Sequence, residues 1–340
     1  MRESARRPSP RGPRRKAPRR APEINMAVVF LDQNQWIRLL GALTRPESAP
    51  EIYAIAKKME AAVWEVRLTL PLTSANIYET CKINDPNRRA RLGYVQAVMS
   101  GGLVFAGRRA RLTAEIGDFV AAEFGLEAAE RPPLWFVSDI FFDAFADLYD
   151  ARLALPADLA EKTCRRIRAD PRGELISYFT QQPDEARINA VAKWTAGALA
   201  LLERSEKRRA ACASESKDMR HRLYKALLLI DECDVILDLA RDAGAPWRSV
   251  SDIGDERARR LMDAIPAFAI EAEMVVRLDA HMCDGEVNDF NDMASFAAAL
   301  PYADAVIAEN LFSNVARQSR LDRRFDTRVE TKLEAIGDFL

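Results

Sequence analysis

The chain has 340 residues, of which 49% are apolar and 30% are charged, and its formal net charge is −1. These values predict a soluble globular protein with one large domain or two ordinary ones. No segment approaches the roughly 20 apolar residues that a membrane span needs, and no apolar signal region lies near the N-terminus, so we expect a cytoplasmic protein without membrane contact. Five scattered cysteines with no CxxC pair argue against a zinc site and a disulfide framework.

The first 25 residues differ in charge from the rest of the chain. They contain nine Lys or Arg and two Glu, a net charge of +7, which leaves −8 for residues 26–340. Five prolines interrupt this segment, which has no apolar period, so we predict a disordered basic tail able to contact nucleic acid phosphates. The alternative is that translation starts at Met26 and the tail is not part of the protein.

The first predicted strand is the apolar run AVVFL at residues 27–31, which is typical of a central parallel strand. It ends in Asp32-Gln33-Asn34. Open α/β sheets place their active sites at the carboxyl ends of strands, so Asp32 is a candidate site residue. Asp32 is also well placed to cap the helix that follows, and it can do both. Asn34 either hydrogen-bonds the site or caps that helix.

A second strand is predicted over residues 66–72, where apolar and polar residues alternate after a helix at 52–65. A strand-to-helix junction follows at Thr73, and the new helix contains Glu79. This acid is either a second site residue or the partner of Asn76 in a capping box. A further helix begins at Asp85-Pro86 and ends at Gly101.

Residues 103–264 are predicted to be mostly helical. Within this block, residues 134–145 (LWFVSDIFFDAF) are the most apolar and aromatic stretch, which indicates core or a subunit contact. A basic cluster is either a solvated helix face or a nucleic acid contact. Helices are predicted at 112–124, 156–169, 184–203, 217–243 and 255–264, and the basic cluster comprises Arg204, Lys207, Arg208, Arg209, Lys217, Arg220 and Arg222.

After an amphipathic helix at 266–283, the stretch from residue 288 to 312 combines acids with apolar residues. Asp289 and Asp292 lie three apart at the front of a helix that stops at Pro301. Asp304 and Glu309 flank AVIA (305–308), which is a buried strand or the start of a core helix. Partly desolvated carboxylates repel one another, and a divalent cation is their simplest partner. A short strand at 325–329 and a helix at 330–340 close the chain.

These three acidic regions together resemble the PIN-like nuclease superfamily. The resemblance rests on FLDQNQWIRLL at 30–40, PLTSANIYETCKI at 71–83 and NDFNDMASFAAALPYADAVIAENLF at 288–312, which occur in the family's order. It implies an α/β fold, a PIN-like three-layer α/β/α sandwich with a parallel sheet, interrupted by a large all-helical insertion. The implied organisation is a disordered tail (1–25), a PIN-like domain in two parts (26–102 and 265–340) and a helical insertion (103–264).

The resemblance also assigns roles to the acids. Asp32 and Asp292 would be direct ligands of Mg²⁺ or Mn²⁺, with Asp289 the competing choice for the third acid. Glu79 would be a ligand or would orient the attacking water, and Glu309 would be an outer ligand. The implied catalytic residues are Asp32, Glu79, Asp292 and Glu309, and the candidate metal ligands are Asp32, Glu79, Asp289, Asp292 and Asp304. The family's polar residue before the fourth acid is Ala308 here, and that acid is Glu instead of Asp.

The function implied is a metal-dependent endoribonuclease, toxin-like or defence-associated, in which a water with a lowered pKa attacks a phosphodiester. RNA is the expected substrate and single-stranded DNA the second choice. An acidic site repels a nucleic acid backbone, so Asn34 and three cations near Glu79 are predicted to contact substrate: Arg88, Arg89 and Arg91.

Two alternatives remain open at this point. One is a catalytically decayed PIN-like scaffold whose helical block binds a protein partner or a second copy of the chain. The other is a haloacid-dehalogenase-like phosphatase, which would need a second Asp where this chain has Asn34.

Overall fold

The computed structural model describes residues 26–145, 156–281 and 287–340, without the side chains of residues 201, 217, 278–281, 287 and 288. The predicted basic tail, residues 1–25, lies outside the described residues. In the described ranges helices predominate over short strands. None of the helices in these ranges has the length and apolar character needed to cross a lipid bilayer.

A small parallel sheet forms the centre of the fold. Its strands are joined in the order β2-β1-β5-β6, and all neighbours run parallel. Strands β3 and β4 pair antiparallel, and a single parallel bridge from Leu72 to Val104 connects β3 to the segment that follows β2. The strands are β1 (Ala27–Leu31), β2 (Leu68–Thr69), β3 (Val104–Phe105), β4 (Val137–Ser138), β5 (Ala305–Ile307) and β6 (Arg328–Glu330).

Helices make up most of the remaining described chain. They are α1 (Gln33–Thr44), α2 (Pro50–Trp64), α3 (Ser74–Lys82), α4 (Pro86–Ser100), α5 (Arg108–Phe124), α6 (Ala157–Ala169), α7 (Pro171–Gln181), α8 (Asp184–Ala211), α9 (Lys217–Asp231), α10 (Cys233–Asp242), α11 (Val250–Ile253), α12 (Asp255–Ala264), α13 (Pro266–His281), α14 (Val287–Ala299), α15 (Asn310–Gln318) and α16 (Leu321–Phe325). Short 3₁₀ segments lie at Pro46–Ser48, Phe141–Phe145 and Leu333–Phe339.

The sheet is covered on both faces, because successive side chains of a strand point in opposite directions. Val29 and Leu31 of β1 belong to an apolar core shared with α1, α2 and α4. Val28 and Phe30 belong to a second core, shared with α14 and α15. A third core joins α5, α10 and α12. The continuous apolar run of β1 therefore has the burial expected of a central parallel strand.

The connections of the sheet define one special position. From β1 the chain crosses to β2 on one side, and β5 pairs with the opposite side of β1, with Leu31 beside Ile307. The carboxyl ends of β1 and β5 therefore flank the point at which the strand order reverses. Open α/β sheets bind their ligands in the crevice at such a point.

Several sequence predictions are confirmed. Strand β1 has the predicted bounds, and the AVIA run forms a strand and not a core helix. Helix α4 begins after the N-cap Asp85 and ends at Gly101, whose left-handed φ of 70° suits glycine. The aromatic stretch is mainly core, since Phe136 and Phe141 are buried and Phe136 stacks on Tyr302 at 4.9 Å.

Other boundaries differ from the prediction. The block at 103–264 is not all-helical, because β3 bridges to the sheet and β4, from the apolar stretch, pairs with it. The predicted helix at 217–243 is two helices that meet at Glu232, and the helix predicted at 184–203 extends to Ala211. The last strand lies at Arg328–Glu330, since residues 321–325 form α16, and the closing segment is 3₁₀.

The second strand is shorter than its alternation of apolar residues predicts, because the chain turns at its start. Val66 has a left-handed φ of 56°, is 68% exposed and donates its backbone N–H to the Val63 carbonyl at 3.1 Å. A β-branched residue in this conformation is strained by about 1–2 kcal/mol.

Replacement of Val66 by Gly is therefore expected to raise the free energy of unfolding by about 1 kcal/mol, because glycine adopts this conformation without strain but loses more entropy on folding. Urea-induced unfolding measures the change. Glu65→Gly is the control, since Glu65 has a φ of −82°, so glycine there relieves no strain, adds flexibility to the unfolded chain and removes the exposed ion pair with Arg67. If Val66→Gly lowered the free energy of unfolding as much as the control does, the backbone of Val66 would not be strained.

Candidate active site

Asp32 lies at the carboxyl end of β1 and is the N-cap of α1. Its Oδ1 atom accepts a hydrogen bond from the Gln35 backbone N–H at 3.0 Å. Its own backbone N–H donates to the Ile307 carbonyl of β5 at 3.0 Å. Among the described residues, its buried Oδ2 atom has no partner within hydrogen-bonding distance, although the backbone N–H groups of Asn34 and Glu309 lie close enough to lower the pKa of Asp32. Asp32 thus caps the helix with one oxygen and leaves the other unpaired at the crossover point of the sheet.

Glu309 occupies the corresponding position after β5. It is the N-cap residue of α15, but its side chain makes no capping bond and the residue is exposed. The Nδ2 atom of Asn34 donates a hydrogen bond to Glu309 Oε1. Of the two roles open to Asn34 from the sequence, the structure therefore shows the hydrogen bond to the site.

Glu79 is not a capping residue, so that alternative from the sequence is wrong. The N-cap of α3 is Thr73, and its capping-box partner is Asn76, whose Oδ1 accepts the Thr73 backbone N–H at 3.0 Å. The box therefore closes one turn before Glu79 and leaves this carboxylate without a capping role. Its side chain lies close enough to Asp32 for the negative charge of Asp32 to raise its pKa.

Asp292, on α14, lies near Asp32, Glu79 and Glu309. Its pKa is raised first by burial and then by the charges of Glu79, Glu309 and Asp32, with Asp289 making the smallest of these contributions. Four acids that are distant in sequence therefore lie together at the carboxyl edge of the sheet. We call Asp32, Glu79, Asp292 and Glu309 the acidic cluster.

Burial is the main cause of the raised pKa values of three of these acids, Asp32, Glu79 and Asp292. It raises the pKa of Asp32 to about 6, that of Glu79 to about 7 and that of Asp292 to about 8. Neighbouring carboxylates add to the rise in each case. Hydrogen bonds from the Gln35 backbone to Asp32, and the charge of Lys82 and a bond from Asn291 at Glu79, act in the opposite direction. Repulsion of this kind favours a cation among the acids.

The donor set of the cluster fits a hard divalent cation, because all its ligands are carboxylate oxygens and Asp32 Oδ2 is unpaired. Among the residues that the structure describes, no three His, Cys, Asp or Glu side chains are arranged so that they could hold an ion as they stand. The chemistry of Mg²⁺ or Mn²⁺ therefore fits these residues, and a closed coordination shell is not present.

Asp304 does not belong to the cluster, which corrects its assignment as a metal ligand. It precedes β5, and its Oδ2 atom accepts the Val28 backbone N–H at 2.8 Å near the start of β1. Since β1 and β5 are parallel, these two residues lie at the amino edge of the sheet, opposite Asp32 and Glu309. The carboxylate of Asp304 therefore holds two strand starts together.

A buried polar network lies beside the cluster and fixes α3 against the end of β1. Gln33 Nε2 donates to Thr80 Oγ1 at 2.9 Å, Thr80 Oγ1 donates to Gln96 Oε1 at 2.8 Å, and Gln96 Nε2 donates to Gln33 Oε1 at 3.0 Å. Asn76 Nδ2 approaches both Gln33 Oε1 and the Leu31 carbonyl at 3.4 Å. Because Thr80 follows Glu79 and Gln33 follows Asp32, this network sets the separation of the two acids.

The three arginines predicted to contact substrate have different environments. Arg88 and Arg91 are exposed, and their contact with substrate stays a prediction. Arg89 is only 5% exposed and donates to the Ile83 carbonyl at 2.7 Å and to the Phe179 carbonyl at 3.2 Å. The prediction for Arg89 is therefore wrong, because its guanidinium joins α4 to the end of α7.

Replacement of Arg89 by Met is expected to lower the free energy of unfolding by about 2–3 kcal/mol, because two buried carbonyl groups lose their donor. Thermal unfolding measures this loss. Arg88→Met and Arg91→Met are matched controls on the same helix and are expected to change stability by less than about 0.5 kcal/mol. Equal effects of the three replacements would contradict the structural role of Arg89.

Two residues of the basic cluster between residues 204 and 222 form ion pairs with acids of the helical block. Lys207 binds Glu203 at 2.7 Å, and Arg208 binds Asp231. The side chain of Lys217 lies outside the described residues. These pairs favour the interpretation of the cluster as a solvated helix face.

Sequence reasoning missed the neutral residues of the site. Gln33 and Gln96 belong to the polar network, and Asn291 lies beside Glu79 and accepts a bond from Trp194 at 2.9 Å. Gln33 and Asn291 adjoin predicted acids, which is a usable signal. Trp194 and Gln96 carry no such signal, because only folding brings them to the site.

Compared with protein-family models, curated proteins and solved structures, the chain matches none. The acidic cluster and its position in the sheet are therefore the basis for a functional assignment.

Proposed function

We propose that this protein is a metal-dependent nuclease with a PIN-like α/β/α core, and that it hydrolyses phosphodiester bonds of RNA with Mg²⁺ or Mn²⁺. The observation that carries the proposal is the acidic cluster: Asp32 is buried, Glu79 and Asp292 are half-buried, and the three approach Glu309 from separate elements near the point where the strand order reverses. Buried carboxylates that raise one another's pKa are a costly arrangement in a protein without a cationic ligand.

Each acid has a distinct part in this proposal. Asp32 and Asp292 would hold the cation, since one oxygen of Asp32 is unpaired and Asp292 experiences the charge of every other acid of the cluster. Glu79 would be a ligand or would orient the attacking water, since its carboxylate lies close enough to Asp32 and Asp292 for their charges to interact. Glu309, exposed at the rim and bonded to Asn34, would act from outside as a further ligand.

The bound cation would supply two things: a lowered pKa for the attacking water and neutralisation of charge on the phosphodiester. Within the described part of the chain no three carboxylates are arranged to hold an ion as they stand, so the proposal includes a rearrangement of the side chains when the cation binds. Exposed Arg88 and Arg91 remain candidates to attract the nucleic acid backbone to this acidic site, and exposed Lys82, whose charge acts on Glu79, is a further one.

Cleavage of a mixed panel of RNA and single-stranded DNA tests the proposal. The purified protein is assayed with Mn²⁺, with Mg²⁺ and with EDTA, beside Asp32→Asn and the matched control Asp304→Asn. We expect cleavage that needs the metal, is lost in Asp32→Asn and persists in Asp304→Asn, because Asp304 lies at the opposite edge of the sheet. Cutting in EDTA, or full activity of Asp32→Asn, would overturn the proposal.

A second candidate is a decayed PIN-like scaffold that binds a protein through its helical block. The observation that favours it is the exposed apolar face of α8: Ile188 is 54% and Leu199 50% exposed, and a spacing of eleven residues, three helical turns, places them on one face. A metal titration separates the two candidates. Absence of any Mn²⁺-induced rise in melting temperature, together with absence of cleavage, would favour the scaffold.

A further inference from the structure

One helix of the long helical block contributes directly to the surroundings of the acidic cluster. On α8, the indole Nε1–H of Trp194 donates a hydrogen bond to Asn291 Oδ1 at 2.9 Å. Asn291 is 2% exposed and immediately precedes Asp292 on α14. Helix α8 packs against α14 and also against α3, which carries Glu79. The contact therefore links the helical block to two of the elements that provide acids.

The indole determines which way the Asn291 amide points. Because the Trp194 N–H is only a donor, it must face the amide oxygen, and this turns the Nδ2 group to the other side. There Nδ2 is buried and, among the described residues, has no partner within hydrogen-bonding distance, while the Glu79 carboxylate lies close enough for the Asn291 side chain to lower its pKa. If the amide were rotated by 180°, its oxygen would face the Glu79 carboxylate, and two hydrogen-bond acceptors would repel each other.

Trp194 is itself held in place by aromatic contacts. Its ring stacks on Tyr78 with a centroid distance of 4.9 Å and an interplanar angle of 20°, and Phe145 contacts it edge-on at 5.8 Å. Tyr78 directly precedes Glu79 in α3. The indole therefore bonds the residue before Asp292 and packs on the residue before Glu79.

We propose that Trp194 and Asn291 are positioning residues of the candidate active site, with Trp194 fixing the Asn291 amide so that its Nδ2 group orients the Glu79 carboxylate toward the cation. This inference rests on the proposed function. The helical block would then have a role in the site itself, because Trp194 of α8 would help to orient Glu79. This role is separate from any contact made by the outer surface of the block. Partners that orient ligands from outside typically change metal affinity 10–100-fold when they are replaced.

Calorimetric titration of the full chain with Mn²⁺ is the first test. Asn291→Ala removes the donor to Glu79, and Trp194→Phe keeps an aromatic ring on Tyr78 but removes the N–H that orients the amide. We expect both variants to bind Mn²⁺ roughly 10-fold or more weakly. Thr195→Val is the matched control: it removes the 2.9 Å bond between Thr195 and the Tyr78 hydroxyl in the same helix contact and leaves the indole and the amide in place. Its Mn²⁺ affinity is expected to equal that of the unmodified protein.

Steady-state cleavage of RNA with saturating Mn²⁺ is the second test. A positioning role predicts that Trp194→Phe lowers kcat at least 10-fold and keeps the KM for RNA within 2-fold of the original value. If loosening of the contact between α8 and α3 were the cause, the control Thr195→Val would also lower kcat. A metal-free arm measures the melting temperatures of Asn291→Ala, Trp194→Phe and the double variant in EDTA. Because both residues act through one hydrogen bond, the fall in melting temperature of the double variant should be smaller than the sum of the falls of the two single variants.

The outcomes separate this inference from the proposed function. Mn²⁺ binding and cleavage by the unmodified protein, with both unchanged in Asn291→Ala and Trp194→Phe, would overturn the positioning role and leave the nuclease proposal standing. Additive losses of melting temperature in the metal-free arm would also overturn it. If the unmodified protein neither binds Mn²⁺ nor cuts RNA, the proposed function fails and the positioning role fails with it.

Discussion

Asp32→Asn is expected to lower the rate of RNA cleavage by roughly 100-fold or more, since loss of even an outer partner of a metal ligand typically costs 10–100-fold. The replacement is nearly isosteric. It retains an oxygen to accept the Gln35 N–H at the start of α1, but it replaces the unpaired Oδ2 or its equivalent by a group that cannot bind a cation. Initial rates with excess Mn²⁺ measure the effect.

The stability of the same variant distinguishes loss of chemistry from loss of fold. Burial raises the pKa of Asp32 to about 6, so its charged form is unfavourable in the metal-free protein at pH 8. We therefore expect Asp32→Asn to melt at the same temperature as the unmodified protein or at a higher one in EDTA at that pH. A lower melting temperature together with lost activity would indicate a role for Asp32 in stability instead of catalysis.

The metal-free protein is expected to lose stability as the pH rises from about 4 to about 8. Burial and neighbouring charges raise the pKa of Asp32 to about 6 and that of Asp292 to about 8. Below the pKa of these groups in the unfolded chain, both states are protonated. Above it the unfolded chain releases its protons while the folded protein retains them, so stability falls until the pH passes the folded pKa. For Asp32 alone the loss is about 3 kcal/mol.

Two measurements check this expectation. In EDTA, Asp292→Asn should have a higher free energy of unfolding than the unmodified protein at pH 8 and nearly the same value at pH 4. At pH 8 Asp292 is ionised in the unfolded chain, and folding must reprotonate it or bury its charge, a cost that is largely absent at pH 4. Mn²⁺ should restore stability to the unmodified protein at pH 8, since it binds the ionised cluster and not the unfolded chain. The same advantage of Asp292→Asn at both pH values would contradict the raised pKa.

The two acids that follow strands were predictable for a physical reason. The continuous apolar run of β1 indicates a strand buried on both faces, and the residue after such a strand lies at the edge where α/β sheets bind ligands. Asp32 and Glu309 satisfy this rule. Asp304 fails it because it precedes its strand, so its backbone direction places it at the amino edge. The polarity of the strand, which the sequence does provide, was the deciding information.

Glu79 shows where local patterns are insufficient. Its spacing from Asn76 fits a capping box, but Thr73 begins the helix one turn earlier and takes Asn76 as its partner. Arg89 shows the same limit, since its sequence neighbours are exposed arginines and only the packing of α4 against α7 buries it. The cap at Thr73 decides the first case, and a tertiary contact decides the second.

By itself, the sequence determined the central strands, most helix positions and the residues that carry negative charge, because apolar periodicity, caps and proline act over a few neighbours. Only the tertiary structure decided which of these charges meet, which arginine is buried, and that Trp194 of the helical block bonds Asn291 beside the acids. These contacts join residues that are tens to hundreds of positions apart, and their geometry depends on how the helices and strands pack together.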